Sequence, residues 1–127
     1  MKLYEVTERT PRLLDSLLAL WEASVRATHC FLSEEAILQI REFVPQALRS
    51  VAHLVVAECE PGRPIAFLGA ENGRLEMLFL APAERGKGLG RQLVQYAIRQ
   101  YAVREVTVNE QNPQAVGFYE HMGFEVY

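Results

Sequence analysis

The chain has 127 residues, a length that fits one domain built around one hydrophobic core. Half of the residues are hydrophobic, 23% are charged and the formal net charge is −3, so the chain lacks the basic excess of a general nucleic-acid-binding protein. Because no apolar run reaches the roughly 18 residues that cross a bilayer, and the first residues lack the apolar core of a signal peptide, we expect a cytoplasmic protein without a membrane partner.

The N-terminal part predicts one short strand, over residues 2–6, followed by a helix. Thr10 is suited to cap that helix and Pro11 to occupy its first position. Apolar residues then recur at helical spacing and predict one buried face. They are Leu13, Leu14, Leu17, Leu18, Trp21 and Val25.

A second helix is predicted to begin after Ser33. Glu34 and Glu35 fall in its first turn, where carboxylates are favoured by the helix dipole. Its buried face is predicted to contain Ile37, Ile40, Phe43 and Val44. Residues 27–32, between the two helices, are predicted to form a loop.

Three strands connected as an antiparallel meander are predicted in the middle of the chain. The strands cover residues 53–58, 65–71 and 74–80, and the first turn covers 60–64. Asn72 and Gly73 predict a two-residue hairpin turn, because both residue types tolerate positive φ.

A glycine-rich loop, residues 85–90, lies between the last of these strands and a further helix. Backbone N–H groups at a helix start, unobstructed by Cβ atoms, bind phosphate oxygens. Arg85, Lys87 and Arg91 add positive charge, so the loop predicts a pyrophosphate site. The glycines match neither the P-loop nor the GxGxxG dinucleotide pattern, which disfavours an ATP- or dinucleotide-binding enzyme. The alternative is a basic loop that binds nothing.

The C-terminal part predicts a strand at 105–108, a helix at 114–121 and the start of another strand at 124–127. The helix after the glycine-rich loop has its apolar residues at helical spacing. These are Leu89, Leu93, Val94, Ala97 and Tyr101. The segment 112–124 reads NPQAVGFYEHMGF.

Two motifs in this order resemble the GNAT superfamily of N-acetyltransferases. The loop matches the pattern R/Q-x-x-G-x-G/A at Arg85, Gly88 and Gly90. The second segment resembles N-x-x-A-x-x-F-Y-x-x-x-G-F. Its matching positions are Asn112, Ala115, Phe118, Tyr119, Gly123 and Phe124. Residues 27–32 and 109–112 resemble small bacterial members of the YjaB type.

The resemblance implies an α/β fold, with a mixed, mostly antiparallel twisted sheet flanked by helices. It covers nearly the whole chain and implies one acyl-CoA N-acyltransferase domain over residues 1–127, truncated at the C-terminal end. Members usually continue into a further strand, so we expect a C-terminal strand to be missing. A partner copy could supply that strand, and an exposed edge invites such pairing. We therefore expect a tendency to form homodimers.

The resemblance also implies acetyl-CoA as the acyl donor and a primary amine, on a small molecule or a protein, as the acceptor. Direct attack of the amine on the thioester is the expected reaction. The implied cofactor-binding residues are Leu78, Phe79, Leu80, Arg85, Gly86, Lys87, Gly88, Leu89, Gly90, Arg91, Asn112 and Tyr119. The alternative is a sensor or regulatory module that binds acetyl-CoA without catalysis.

Three side chains are the catalytic candidates. Tyr119 is placed beside the sulfur by the resemblance, where a phenol that is neutral at pH 7 can donate a proton to the leaving thiolate. Glu76 and His29 are candidate bases for the attacking amine, with Glu110 a weaker one; each has an ordinary structural role as its alternative. Water is a further alternative, because a thioester is already activated.

The acceptor is hardly specified by the sequence. Trp21, His29, Phe31 and Phe43 are candidates for an aromatic pocket, but helix core is the alternative for Trp21 and Phe43. Acidic residues in the first two helices either attract a cationic amine or form a solvated helix face. They include Glu22, Glu34, Glu35 and Glu42.

Neither cysteine is a candidate for catalysis. Cys30 and Cys59 lie outside both motifs and lack metal-ligand spacing with the histidines. We expect reduced thiols, no metal and no covalent enzyme intermediate.

Overall fold

The structure is a computed structural model that describes residues 1–28, 32–106 and the backbone of 125–126. The helices are α1 (Pro11–Thr28), α2 (Glu34–Ser50) and α3 (Leu89–Tyr101). The strands are β1 (Lys2–Glu5), β2 (His53–Glu60), β3 (Arg63–Glu71), β4 (Arg74–Leu80), β5 (Glu105–Val106) and β6 (Glu125–Val126). Within these ranges, no helix is both long and apolar enough to cross a membrane.

The strands form one sheet in the order β1-β2-β3-β4-β5-β6. The first four pair antiparallel, and β5 pairs parallel with both β4 and β6. At the β3–β4 hairpin Asn72 and Gly73 both have positive φ, 52° and 73°. The predicted mixed, mostly antiparallel sheet and its hairpin turn are therefore confirmed.

Helices cover both faces of the sheet. On one face α1 and α2 pack on β2 and β3, with Leu17, Leu48 and Phe67 at 0% exposure. On the other face Leu93 of α3 packs with Leu68 of β3, again fully buried. Each such side chain contributes roughly 1.5–3 kcal/mol to folding through burial. Two core layers thus hold the sheet and fix α3 across it.

Local polar contacts close the helix ends. The Leu13 amide donates to the Thr10 hydroxyl over 3.2 Å, and the Ala36 amide donates to the Ser33 hydroxyl over 3.1 Å. The predicted cap at Thr10 and the predicted helix start after Ser33 are therefore confirmed. An unpredicted contact closes the other end of α2, where the Arg9 guanidinium donates to the carbonyl of Leu48 over 2.9 Å.

The buried face of α2 was predicted too wide. Ile37 and Val44 are buried, but Ile40 is 41% exposed and Phe43 is 71% exposed. The physical reason is that α2 packs along the line through Ile37, Val44 and Leu48, and Phe43 lies about 100° around the helix from Val44.

The first helix and two of the strands are longer than predicted. The predicted interhelical loop at 27–32 was wrong at its start, because α1 continues through Thr28. The second and third strands extend to a tighter turn, in which Gly62 has a φ of 78°. The predicted helix at 114–121 lies outside the described residues.

Candidate functional site

The glycine-rich loop leads directly into α3. A 3-10 turn (Pro82–Glu84) follows β4, and the loop then reaches the helix N-cap, Gly88. Gly86 and Gly88 have φ values of 78° and 83°. A side chain in this left-handed region is strained, so the backbone favours glycine at both positions. The local sequence thus fixes the path of the loop.

A cavity of 240 Å³ lies at this helix start. It is lined by Leu80, Arg85, Gly86, Gly88, Leu89, Gly90 and Arg91. In this described segment, no side chain caps the first turn of α3. The free helix end therefore presents N–H groups and the positive end of the helix dipole to the cavity, which suits a phosphate group.

Basic side chains surround the same cavity. Arg85 and Arg91 line it directly. Lys87 is 63% exposed, and its ammonium lies 3.7 Å from a Glu84 carboxylate oxygen. The donors, charge and shape of this site fit the pyrophosphate group predicted from the sequence.

The strand before the loop contains a β-bulge at Glu76. Ala70 pairs with Leu75 and Gly69 with Met77, which leaves Glu76 as the extra residue of β4. The bulge changes the alternation of side chains, so Leu75, Leu78 and Leu80 all pack on the α3 side. Glu76 itself is exposed. The sequence analysis predicted a regular strand here. The unequal spacing of these three leucines is the sequence feature that could have indicated the bulge.

The three predicted cofactor-binding residues of β4 divide between the two faces. Leu78 and Leu80 pack on the α3 side, and Leu80 lines the cavity. The Phe79 side chain instead lies on the α1 side, with its ring centroid 6.4 Å from that of Trp21. On the cavity side, Phe79 can therefore contact a ligand only through its backbone.

The predicted aromatic acceptor pocket receives no support from the described residues. Trp21 is 4% exposed and belongs to the core, whereas Phe43 lies on the surface of α2. Its other predicted members, His29 and Phe31, lie outside the described residues. Helix core, the stated alternative for Trp21, is what the structure shows.

Of the catalytic candidates, only Glu76 is among the described residues. His29, Glu110 and Tyr119 lie outside them, as does the predicted cofactor ligand Asn112. The structure therefore brings together the loop part of the predicted site, from Leu80 to Arg91, and leaves the catalytic assignments as predictions.

Two of the acidic residues near the helix junction hold α1 and α2 together. The Arg26 guanidinium donates to Glu34 over 2.8 Å and to Glu22 over 3.0 Å. Arg41 binds the other Glu22 oxygen at 2.7 Å. The hydrogen bond from Arg26 lowers the pKa of Glu34 below its ordinary value. These carboxylates have structural partners, which accounts for them without a cationic substrate.

The far end of α3 is anchored by a separate polar cluster. The Tyr101 hydroxyl donates to Glu5, and the His53 imidazole lies 3.2 Å from the other Glu5 oxygen. The His53 and Tyr101 rings stack at 4.1 Å. The hydrogen bond from Tyr101 lowers the pKa of Glu5, while burial raises that of Tyr101. This cluster ties the helix that carries the cavity to β1 and β2.

No group of three or more His, Cys, Asp or Glu residues able to hold a metal ion occurs within the described ranges. Cys59 is a free, exposed thiol, and Cys30 lies outside those ranges.

Comparison with known proteins identifies the class. The profile of the acetyltransferase (GNAT) domain matches residues 50–126. The peptidyl-lysine N-acetyltransferase YjaB of Salmonella typhimurium is 40% identical over 112 residues, which cover 88% of this chain and 77% of that protein. Its Escherichia coli counterpart is 41% identical over 112 residues, with coverages of 88% and 76%.

Solved structures agree with the fold. The solution structure of apo YjaB from Escherichia coli matches with a TM-score of 0.77 and 36% identity, covering 94% of this chain and 80% of that one. The PaiA N-acetyltransferase of Thermoplasma acidophilum, crystallised with coenzyme A, matches with a TM-score of 0.74, 23% identity and coverages of 100% and 92%. At that lower identity the likeness concerns the fold alone.

The fold, the glycine-rich loop and these relatives together define an acetyl-CoA-dependent acetyltransferase. The chain belongs to the GNAT family. The predicted family, fold class, enzyme class and acyl donor are therefore confirmed. The sensor alternative loses support, because the similar proteins are named as transferases.

Proposed function

We propose that the chain transfers the acetyl group of acetyl-CoA to the side-chain amine of a lysine in a protein or peptide. The observation that carries this acceptor is the 40% identity, over 88% of the chain, to a relative named as a peptidyl-lysine N-acetyltransferase. Among the acceptors left open by the sequence, this one therefore has specific support.

The proposed cofactor contacts follow the cavity at the start of α3. The backbone N–H groups of residues 86–90 bind the pyrophosphate, and Arg85, Lys87 and Arg91 neutralise its charge. Residues 78–80 and Asn112 are proposed to hold the pantetheine arm. The cavity, its uncapped helix end and its two arginines support the first half of this proposal.

Acetyl-CoA supplies an activated thioester, and the residues of this chain position the amine and manage protons. The acceptor lysine loses a proton to a base, for which Glu76 at the bulge and His29 are the candidates. Tyr119 donates a proton to the departing sulfur. A backbone N–H near Leu78 stabilises the negative charge that develops on the carbonyl oxygen. Transfer is direct, without an acetylated cysteine.

The organisation of the protein is also proposed. Residues 1–127 are proposed to form one domain and to associate as a homodimer, and the reaction is placed in the cytoplasm because its donor is an intracellular metabolite. The two parallel pairings of β5 support the single domain, since they join 125–126 to the sheet. Light scattering that shows a monomer at every concentration would contradict the dimer.

A panel of amines tests the acceptor. Free thiol is measured after mixing acetyl-CoA with a lysine peptide of blocked N-terminus, and with a matched peptide that carries arginine instead. Polyamines, an aminoglycoside and free amino acids complete the panel. We expect release with the lysine peptide and acetylation on its side chain. Equal release with the arginine peptide, or release only with small amines, would overturn the proposed acceptor.

A further inference from the structure

Lysine is scarce in this chain, and one lysine lies in the cofactor loop. Only Lys2 and Lys87 occur among the 13 basic residues, and all the others are arginine. One arginine guanidinium can bind two phosphate oxygens at once, so arginine is the stronger choice beside a pyrophosphate. A lysine at position 87 differs chemically in one respect that matters here, because its amine can be acetylated.

The position of Lys87 makes it accessible to another molecule. Its side chain is 63% exposed, and its ammonium has a Glu84 oxygen at 3.7 Å, beyond ordinary hydrogen-bond distance. Lys2, by comparison, lies on β1 with its ammonium 5.1 Å from the centroid of the Tyr4 ring. The two lysines therefore differ in their surroundings, and only Lys87 has chain neighbours, Gly86 and Gly88, that line the cavity.

We propose that Lys87 is acetylated by a second copy of the enzyme and that this modification weakens acetyl-CoA binding. The inference rests on the proposed lysine acceptor. A second copy is required because the diphosphate and the thioester of acetyl-CoA are separated by the whole pantetheine arm. Lys87 lies at the diphosphate end of its own site and so acts on the thioester bound to another copy.

The chemical step is an ordinary acetyl transfer. After losing one proton to solvent, the Lys87 amine forms a C–N bond to the acetyl carbon while the C–S bond breaks. The second amine proton passes to the sulfur, so coenzyme A leaves as the free thiol. The product is a neutral amide. It removes the one lysine cation of the loop whose neighbours Gly86 and Gly88 line the cavity, and it ends the ion pair with Glu84.

Mass mapping of the protein after incubation with acetyl-CoA tests the modification. We expect acetyl on Lys87 in excess over Lys2, at an initial rate per molecule that rises with protein concentration. Lys2→Arg should retain the modification and Lys87→Arg should lose it. Heat-unfolded protein at the same concentration measures chemical acetylation. Equal labelling of folded and unfolded protein, or labelling only of Lys2, would overturn the proposal.

The effect on binding is measured by calorimetry with coenzyme A, which requires no turnover. Lys87→Gln reproduces the neutral amide and should weaken binding about two- to five-fold, as expected for one exposed charge. Lys2→Gln is the matched control and should leave affinity unchanged. An unchanged affinity in Lys87→Gln would refute the regulatory part.

The outcomes separate this inference from the proposed function. A lysine peptide that is acetylated while Lys87 is not would refute the inference alone. Acetylation of Lys87 without acetylation of any peptide would support the inference and restrict the proposed acceptor to a lysine of a folded protein. If neither is acetylated by an enzyme that binds coenzyme A, both are wrong.

Discussion

Gly88→Ala should damage the cofactor site, and Gly62→Ala provides a matched control. Both glycines have positive φ, 83° and 78°, and apart from the glycine and its chain neighbours no atom lies within 4 Å of a Cβ added at either position. The added methyl group therefore causes backbone strain without a clash at both sites. The difference between them is location, because Gly88 lines the cavity and Gly62 lies in the β2–β3 turn.

The magnitude follows from the left-handed conformation. An L-residue with a side chain costs about 1–2 kcal/mol there, so each variant should lose that much stability if the backbone stays in place. For a chain of this size, that corresponds to a decrease in Tm of roughly 4–8 °C. In Gly88→Ala, any relief of strain turns the loop away from the conformation that presents its amides, which should raise the KM for acetyl-CoA.

Thermal unfolding and steady-state kinetics check the pair. We expect similar decreases in Tm for both variants, and a higher KM for acetyl-CoA in Gly88→Ala alone. An equal KM in both variants would show that the loop conformation is not needed for cofactor binding. Unchanged Tm values in both would show that the left-handed backbone does not cause the strain assumed here.

Three further variants test α1 and α2, which lie on the face of the sheet opposite α3. Glu34→Gln should lower the urea midpoint at pH 7, because Arg26 holds the pKa of Glu34 below 4.5 in the folded protein. The difference in midpoint from wild type should shrink as pH falls below 4.5 and Glu34 is protonated. A difference that stays constant with pH would contradict this prediction. Trp21→Ala should cost about 3–5 kcal/mol because its side chain is core. Phe43→Ser should change unfolding by no more than about 0.5 kcal/mol because its ring is exposed. Similar losses in the two aromatic variants, measured by urea titration, would refute these burial assignments.

The features that the sequence predicted well depend on neighbouring residues. Thr10 and Ser33 cap helices through bonds to amides three residues away. Asn72 and Gly73 need only their own positive φ values. The glycine-rich loop belongs to the same group, because its amides and its helix start are adjacent in the chain. Such features require no knowledge of distant packing.

The features that were missed depend on distant partners. The bulge at Glu76 is defined by the register against Gly69 and Ala70 on the neighbouring strand. The exposure of Phe43 depends on which line of α2 contacts α1 and the sheet, and hydrophobicity alone does not specify that direction. The catalytic assignments combine residues from separate segments and stay predictions.

Acetyl transfer from acetyl-CoA to a lysine amine is tested most directly by measuring coenzyme A release with a lysine peptide, in wild type and in Tyr119→Phe. Calorimetry with coenzyme A confirms that each protein binds the cofactor. We expect release that depends on the peptide and falls about 100-fold or more in the variant, because a general acid is lost. Full activity in Tyr119→Phe would contradict the proposed proton donor. Cofactor binding without release from any amine in wild type would contradict the acetyltransferase itself.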